Sequence, residues 1–181
     1  MTPPGSRPTT PQANAGIDDS EPADDAPETL SRDRIPIRSM TPEDLPAIIG
    51  IDRRMTGFDR SSYFKSKLAE MMGRSGVRVS LVAEIDDGVV GFIMARADLG
   101  EFGRTYPAAV IDTIGIHPAF ANHGVGRALL SQLLANLSSL RVEVVRTEVR
   151  WDEFSLLGFL KHCGFKPSQH LSFTRQIGKA I

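Results

Sequence analysis

The chain has 181 residues, a formal net charge of -1 and 41% apolar side chains, a size that suits one domain with an appendage. Residues 1–30 hold six acids against Arg7 alone, which leaves 16 acids and 20 bases in residues 31–181. A balance of about +4 falls short of the clustered basic face that nucleic-acid binding asks for, so nucleic acid is not an expected partner. Cys163 is the one cysteine, so no disulfide can form within the chain and a reducing compartment fits. No apolar run approaches the roughly 20 residues of a spanning helix. The N-terminus lacks the apolar core of a secretory signal and the basic, acid-poor character of a transit peptide. The expectation is a soluble cytoplasmic protein with no membrane partner.

The first 34 residues, rich in Pro, Thr, Ala and Asp, lack the apolar surface to offset their ordering entropy and read as a disordered tail. The folded domain is expected over 35–181. It opens with a strand at "IPIRSM", Ile35 and Ile37 sharing a face. A helix follows, with Thr41 as N-cap, Pro42 at its first position and Glu43 and Asp44 in its first turn. A second helix starts at Asp59, with Tyr63, Phe64, Leu68 and Met71 or Met72 at helical spacing, closed by Gly73 and Gly76. "VRVSLVAEI" and "VVGFIMARAD" are strands joined at "DDG" into a hairpin. "LGEFGRTYP" is a loop of the length that often carries function. "AAVIDTIGI" is a third strand of this group.

Next comes "HPAFANHGVG", which opens a helix whose Leu129, Leu130, Leu133, Leu134, Leu137 and Leu140 form an apolar face. "VEVVRTEV" is a strand, "DEFSLLGFLKHC" a short helix stopped by Gly164, and "HLSFTRQI" a last strand. Hairpins first and a β-α-β unit later imply a mixed sheet with helices on both faces, an α+β or α/β domain.

A glycine-marked turn at a helix N-terminus can present unpaired N–H groups to an anion. Equally, Gly124 and Gly126 can serve turn geometry alone. Two familiar phosphate loops do not fit. A dinucleotide fingerprint needs a third glycine where Leu129 stands, and a P-loop needs Gly-Lys-Ser/Thr where Gly126-Arg127-Ala128 stands.

The run "IDTIGIHPAFANHGVGRALLSQLL" resembles instead the acetyl-CoA signature of the GNAT superfamily of N-acetyltransferases: an apolar strand, a His/Asp-Pro turn, then Gln/Arg-x-x-Gly-x-Gly/Ala opening an amphipathic helix. The likeness continues through "VVRTEV", the short helix and "CGFKP", and the element order agrees over 35–177. It implies a mostly antiparallel mixed sheet in which a parallel strand pair splays apart. It implies acetyl-CoA as acyl donor, with no metal, and an amine acceptor, either a protein lysine or N-terminus or a small amine. The backbone of Ile114, Gly115 and Ile116 would bond the pantetheine arm. Asn122, His123, Gly124, Val125, Gly126 and Arg127 would hold the pyrophosphate. A backbone donor would polarise the thioester carbonyl, and the amine would attack directly in a ternary complex. Dimers are common in the superfamily, which leaves room for a homodimer.

The base is expected at Asp112. Strict alternation would put Val110, Asp112, Ile114 and Ile116 on one face, and family members often carry a carboxylate on this strand. A structural aspartate is the alternative, and Glu84 and Glu148 are weaker candidates. The chain also departs from the family pattern. Ala121 stands at the Gln/Arg position, Glu153 at a common Asn, and Leu160 where a tyrosine often protonates the departing thiolate. Ser155, His162, Cys163 and Tyr106 could substitute, although packing or surface roles fit each of them. The acceptor loops would be 53–59 and 99–107, where Glu101 could attract a cationic amine. Trp151 would line the acceptor pocket or anchor the core. These departures favour a rival reading, a catalytically silent domain that binds acyl-CoA as a regulatory module. A transferase for longer acyl groups is a second rival.

Overall fold

The computed structural model describes residues 35–72, 77–98, 107–168 and 174–175. The expected tail, Gly73 and Gly76, Glu101 and Tyr106 fall outside them. So does most of the expected last strand, of which residues 174 and 175 lie outside any element. The elements run β1 (Ile37–Ser39), α1 (Leu45–Thr56), α2 (Ser61–Met72), β2 (Val77–Ile85), β3 (Gly88–Asp98), β4 (Ala108–Ile116), α3 (Val125–Ser139), β5 (Val144–Thr147) and α4 (Phe154–His162). The strands lie side by side in chain order. All neighbours are antiparallel except β4 and β5, which are parallel.

Local chemistry accounts for the boundaries. The first turn after Thr41 is a 3-10 turn, Pro42–Asp44, and the α-helix starts only at Leu45. Pro46 has no N–H to donate to Pro42, so the first α-type bond cannot form there. Asp59 Oδ1 accepts the Ser61 N–H at 2.9 Å, which caps α2. The hairpin turns at Asp86 and Asp87, both with positive φ (50° and 59°), as a type I′ turn requires. Gly164 (φ 81°) closes α4, and the Phe165 N–H reaches Leu160 O at 3.0 Å, the six-to-one bond of a Schellman motif. Leu140 leaves the leucine stripe: α3 ends at Ser139 and Leu140 is 37% exposed.

The sheet carries a core on each face. On one, α3 lays Val125, Leu129, Leu133 and Leu137 against Leu81, Ile93, Ala109 and Ile111, and Phe159 of α4 joins them. On the other, Ile48 and Ile51 of α1 and Phe64 of α2 pack on Val82, Phe92 and Met94. Phe64 meets Phe92 edge to face, centroids 5.7 Å apart. Side chains of this size contribute about 1.5–3 kcal/mol each when fully buried.

A polar knot ties β1, the 3-10 turn and β2 together. Arg38 donates to both oxygens of buried Asp44 at 2.7 Å and to Glu84 at 2.8 Å, and the Thr41 N–H donates to Asp44 Oδ2 at 2.8 Å. Arg38 holds the Asp44 carboxyl below its ordinary range. A depressed carboxyl stabilises the fold above its unfolded pKa of about 3.9, and the contribution disappears as pH falls through the folded value. Asp44→Ala is expected to cost about 1–3 kcal/mol at pH 7, because the Thr41 N–H and part of Arg38 lose their acceptor. The gap to the wild type should narrow as pH falls below about 3.9, as urea melts at pH 7 and pH 3 will show.

Candidate functional site

β4 and β5 part company at Ile111. Their ladder pairs Ala108 to Ile111 with Val144 to Thr147 and goes no further. Thr147 Oγ1 donates to Ile111 O at 3.2 Å, which satisfies the carbonyl at the fork. Among the described residues, β4 continues to Ile116 with β3 as its only strand neighbour. The register on β3 steps from Met94↔Thr113 to Ala95↔Ile111, so Asp112 is the extra residue of a β-bulge. A bulge bends and twists its strand, here at the point where β4 leaves β5.

The bulge overturns the expected face sharing. Ile111 packs in the core under α3, and so do Ile114 and Ile116. Asp112 turns the other way, toward α2. Its Oδ1 accepts from Arg96 Nη1, and its Oδ2 lies 3.9 Å from Lys67 Nζ. Lys67 in turn pairs with Glu70 at 3.3 Å, and Glu70 with Arg78 at 3.1 Å. One inserted residue breaks the period of two, so Asp112 does not share a face with Ile114 and Ile116. Of the weaker carboxylates, Glu84 is engaged by Arg38 and Glu148 is exposed.

The free edge of β4 carries hydrogen-bonding groups. The His117 N–H points to β3 and donates to Val90 O at 2.8 Å. Alternation turns the Ile116 N–H to the open side, where it meets Met55 Sδ at 3.2 Å. Ile114 shares that direction by the same alternation. Gly115 turns its amide to β3, and its missing side chain has a packing reason: a Cβ there would lie 2.5 Å from Phe92 Cε1.

The strand then leads into a loop with the conformations of an anion cradle. Asn122 (φ 63°) and Gly124 (φ 82°) are both left-handed. The first intrahelical bond of α3 is Ala128 N–H to Gly124 O, 2.9 Å. The N–H groups of Val125, Gly126 and Arg127 precede it, with no side-chain cap, and the positive end of the helix dipole lies among them. His123 Nδ1 donates to Ala121 O at 2.7 Å, and His117 Nδ1 accepts the Ala119 N–H at 3.2 Å, so both imidazoles brace the loop. Gly126 allows the Phe159 ring of α4 to come close, 3.3 Å from where a Cβ would stand.

Several large apolar side chains are exposed at the end of α1 and on the segments that follow α1 and β5. Met55 (48%) lies in the last turn of α1 and Phe58 (72%) just after it, Trp151 (81%) between β5 and α4 and Phe154 (73%) at the first position of α4. Trp151 is therefore no core anchor. The turn after α1 is held by Gly57 (φ 75°) and by Arg60, which donates to buried Asp52 at 2.9 Å through Nε and again through Nη2. Asp52 raises the Arg60 pKa, and the charge of Glu153 adds to it. Burial pushes the Tyr63 phenol upward, so it keeps its proton at neutral pH. Leu160 is buried, Cys163 is half-buried against the core, and Ser155 is exposed. His162 Nδ1 donates to Gly158 O at 2.7 Å. Neither a void of about 10 Å³ under Phe64 and Met94 nor a concavity of about 380 Å³ between β2 and Asn136 borders the fork.

Sequence reasoning did not single out Met55, Thr147, Arg96 or Lys67. Each acts through a partner on another element, which no local spacing discloses. Among the described residues, no helix is long and apolar enough to cross a membrane.

The profile of the acetyltransferase (GNAT) family matches residues 45–165. Solved structures share the fold at low identity. An aminoglycoside N-acetyltransferase in complex with CoA superposes with a TM-score of 0.68 at 16% identity, over 80% of this chain and 95% of that one. A putative acetyltransferase from Agrobacterium tumefaciens gives 0.67 at 18%, over 78% and 100%. A transcriptional regulator from Bacillus halodurans gives 0.68 at 16%, over 79% and 99%.

Proposed function

The chain belongs to the acetyltransferase (GNAT) family, and from that premise we propose that it transfers an acetyl group from acetyl-CoA to a primary amine. The observation that carries this reading is the open edge of β4, which ends at the uncapped first turn of α3. The pantetheine arm lies along Ile114 to Ile116, its amides bonded to the Ile114 and Ile116 backbone as an added strand would be. The pyrophosphate sits in the loop from Asn122 to Arg127, on the N–H groups of Val125, Gly126 and Arg127. Ala121 subtracts a side-chain contact and leaves these main-chain donors in place. The catalytic domain spans 35–181, with residues 1–34 as an appended tail, and a single cysteine suits a reducing cytoplasm.

The acceptor, a protein lysine or N-terminus or a small amine, attacks the thioester carbon in a ternary complex. The new C–N bond forms, the C–S bond breaks, and solvent protonates the thiolate. Asp112 takes the proton released by nitrogen through Oδ2, the oxygen that Arg96 leaves free. Asp112→Asn is expected to lower turnover by roughly 10²-fold near neutral pH and to leave CoA affinity in place. An unchanged rate would remove Asp112 from the mechanism.

A second reading, a silent acyl-CoA-binding module, is favoured by the engagement of Asp112 with Arg96 and Lys67 and by buried Leu160 at the tyrosine position. Free thiol released from acetyl-CoA over a panel of lysine peptides, N-terminal peptides, polyamines and amino sugars separates the two. Calorimetric binding of CoA without turnover on any member supports the module.

A further inference from the structure

The Ile116 amide has an unusual partner. It points out of the sheet on the open side of β4, where a backbone carbonyl of a neighbouring strand would ordinarily receive it. It meets a thioether instead, Met55 Sδ at 3.2 Å, and sulfur is a weak acceptor. Met55 is 48% exposed and its side chain turns about three bonds. Its backbone is anchored: Thr56 Oγ1 donates to Asp52 O at 2.9 Å, the Gly57 N–H to Arg53 O at 2.9 Å, and Arg60 locks Asp52. A free side chain on a fixed backbone thus lies across the edge where an extended ligand would run. The same sulfur stands 3.3 Å from where a Gly115 Cβ would be, over the strand rather than beside it.

We propose that Met55 is a positioning residue for the donor substrate: its thioether holds the Ile116 amide in the free protein and yields it to an amide carbonyl of the bound pantetheine arm. This rests on the acyl-CoA reading above and assigns one residue outside the signature to donor recognition. The exchange replaces a weak acceptor by a strong one at little conformational cost. Meanwhile the sulfur keeps the edge from pairing with another strand.

The test is amide and methyl NMR on the full chain, titrated with CoA. In the free wild type the Ile116 amide should be protected from exchange by this bond. In Met55→Ala it should exchange roughly fivefold to tenfold faster, the protection of one modest hydrogen bond. Adding CoA should shift the Ile116 amide downfield in both proteins to a common position and move the Met55 methyl of the wild type. Met55→Leu, which keeps the bulk and removes the acceptor, should behave as Met55→Ala does. Exchange at Ile116 equal in all three proteins would overturn the proposal. So would a Met55 methyl and an Ile116 amide that stay still while the amides of Gly124 to Arg127 respond to CoA. No response to CoA anywhere in 114–127 would instead refute the acyl-CoA reading, and this proposal with it.

Discussion

Gly124→Val should all but abolish CoA binding. Gly124 adopts φ 82°, where an L side chain is strained by roughly 1–2 kcal/mol, and a β-branched one more so. The backbone can relieve that strain only by rotating out of the left-handed region. That rotation swings the loop and redirects the N–H groups of Val125, Gly126 and Arg127, which depend on the helix starting where it does. A hydrogen bond to a charged group contributes about 1.5–3 kcal/mol, so losing even one phosphate contact weakens binding roughly tenfold to hundredfold. Gly158→Ala is the matched control. It lies inside α4 with open space around its Cβ position. It should leave binding unchanged and raise stability by about 0.5–1 kcal/mol. Isothermal titration of both variants with CoA decides the matter, and intact binding in Gly124→Val would discard the phosphate loop.

The second large effect is expected at Gly115. A Cβ there would stand 2.5 Å from Phe92 Cε1 and 2.7 Å from Cζ. The ring is fully buried between α1, α2 and the sheet, so it has nowhere to go. Gly115→Ala should therefore cost about 1–3 kcal/mol by overpacking. Thermal melts should show a Tm lowered by roughly 2–10 °C. β4 would give way toward its open side, so CoA affinity should fall as well. Phe92→Leu removes the clashing atoms. In the double variant the cost of Gly115→Ala should shrink by at least 0.5 kcal/mol or so, a coupling that only a direct contact produces. Strictly additive effects would show that the clash is relieved elsewhere.

These two glycines are nine residues apart and differ in kind. Gly124 is a matter of backbone angle, and a glycine-marked turn at the mouth of a helix is visible in "NHGVG", although its left-handed φ of 82° is not. Gly115 is a matter of a ring contributed by β3, and nothing in "TIGI" announces it. Gly126 belongs with Gly115: it makes way for Phe159, thirty-three residues on.

Asp112 shows the same division. Its presence in an apolar strand is visible in the sequence, and the structure puts it next to Ile111, where the β4–β5 ladder ends. Its direction was not visible, because alternation presumes an unbroken ladder. The bulge that turns it toward Arg96 and Lys67 arises from how β3 and β4 fit together. Trp151 is a comparable case: its size fits a core anchor or a pocket wall, whereas its position beyond the end of β5 leaves it in solvent.

What the sequence determined by itself was periodic or local. Alternation, hairpin punctuation and leucine spacing specified β2, β3 and α3. Turn chemistry specified Asp86-Asp87 and Gly164, and the signature around Gly124 specified the family. Such features depend on residues within a helical turn or a strand pair, where dihedral preference and burial leave few alternatives. Tertiary structure decided the rest: where β4 lets go of β5, which way Asp112 faces, and which side chain reaches the Ile116 amide. Each of these is a contact between elements distant in the chain. Its geometry follows from the packing of two cores on one twisted sheet.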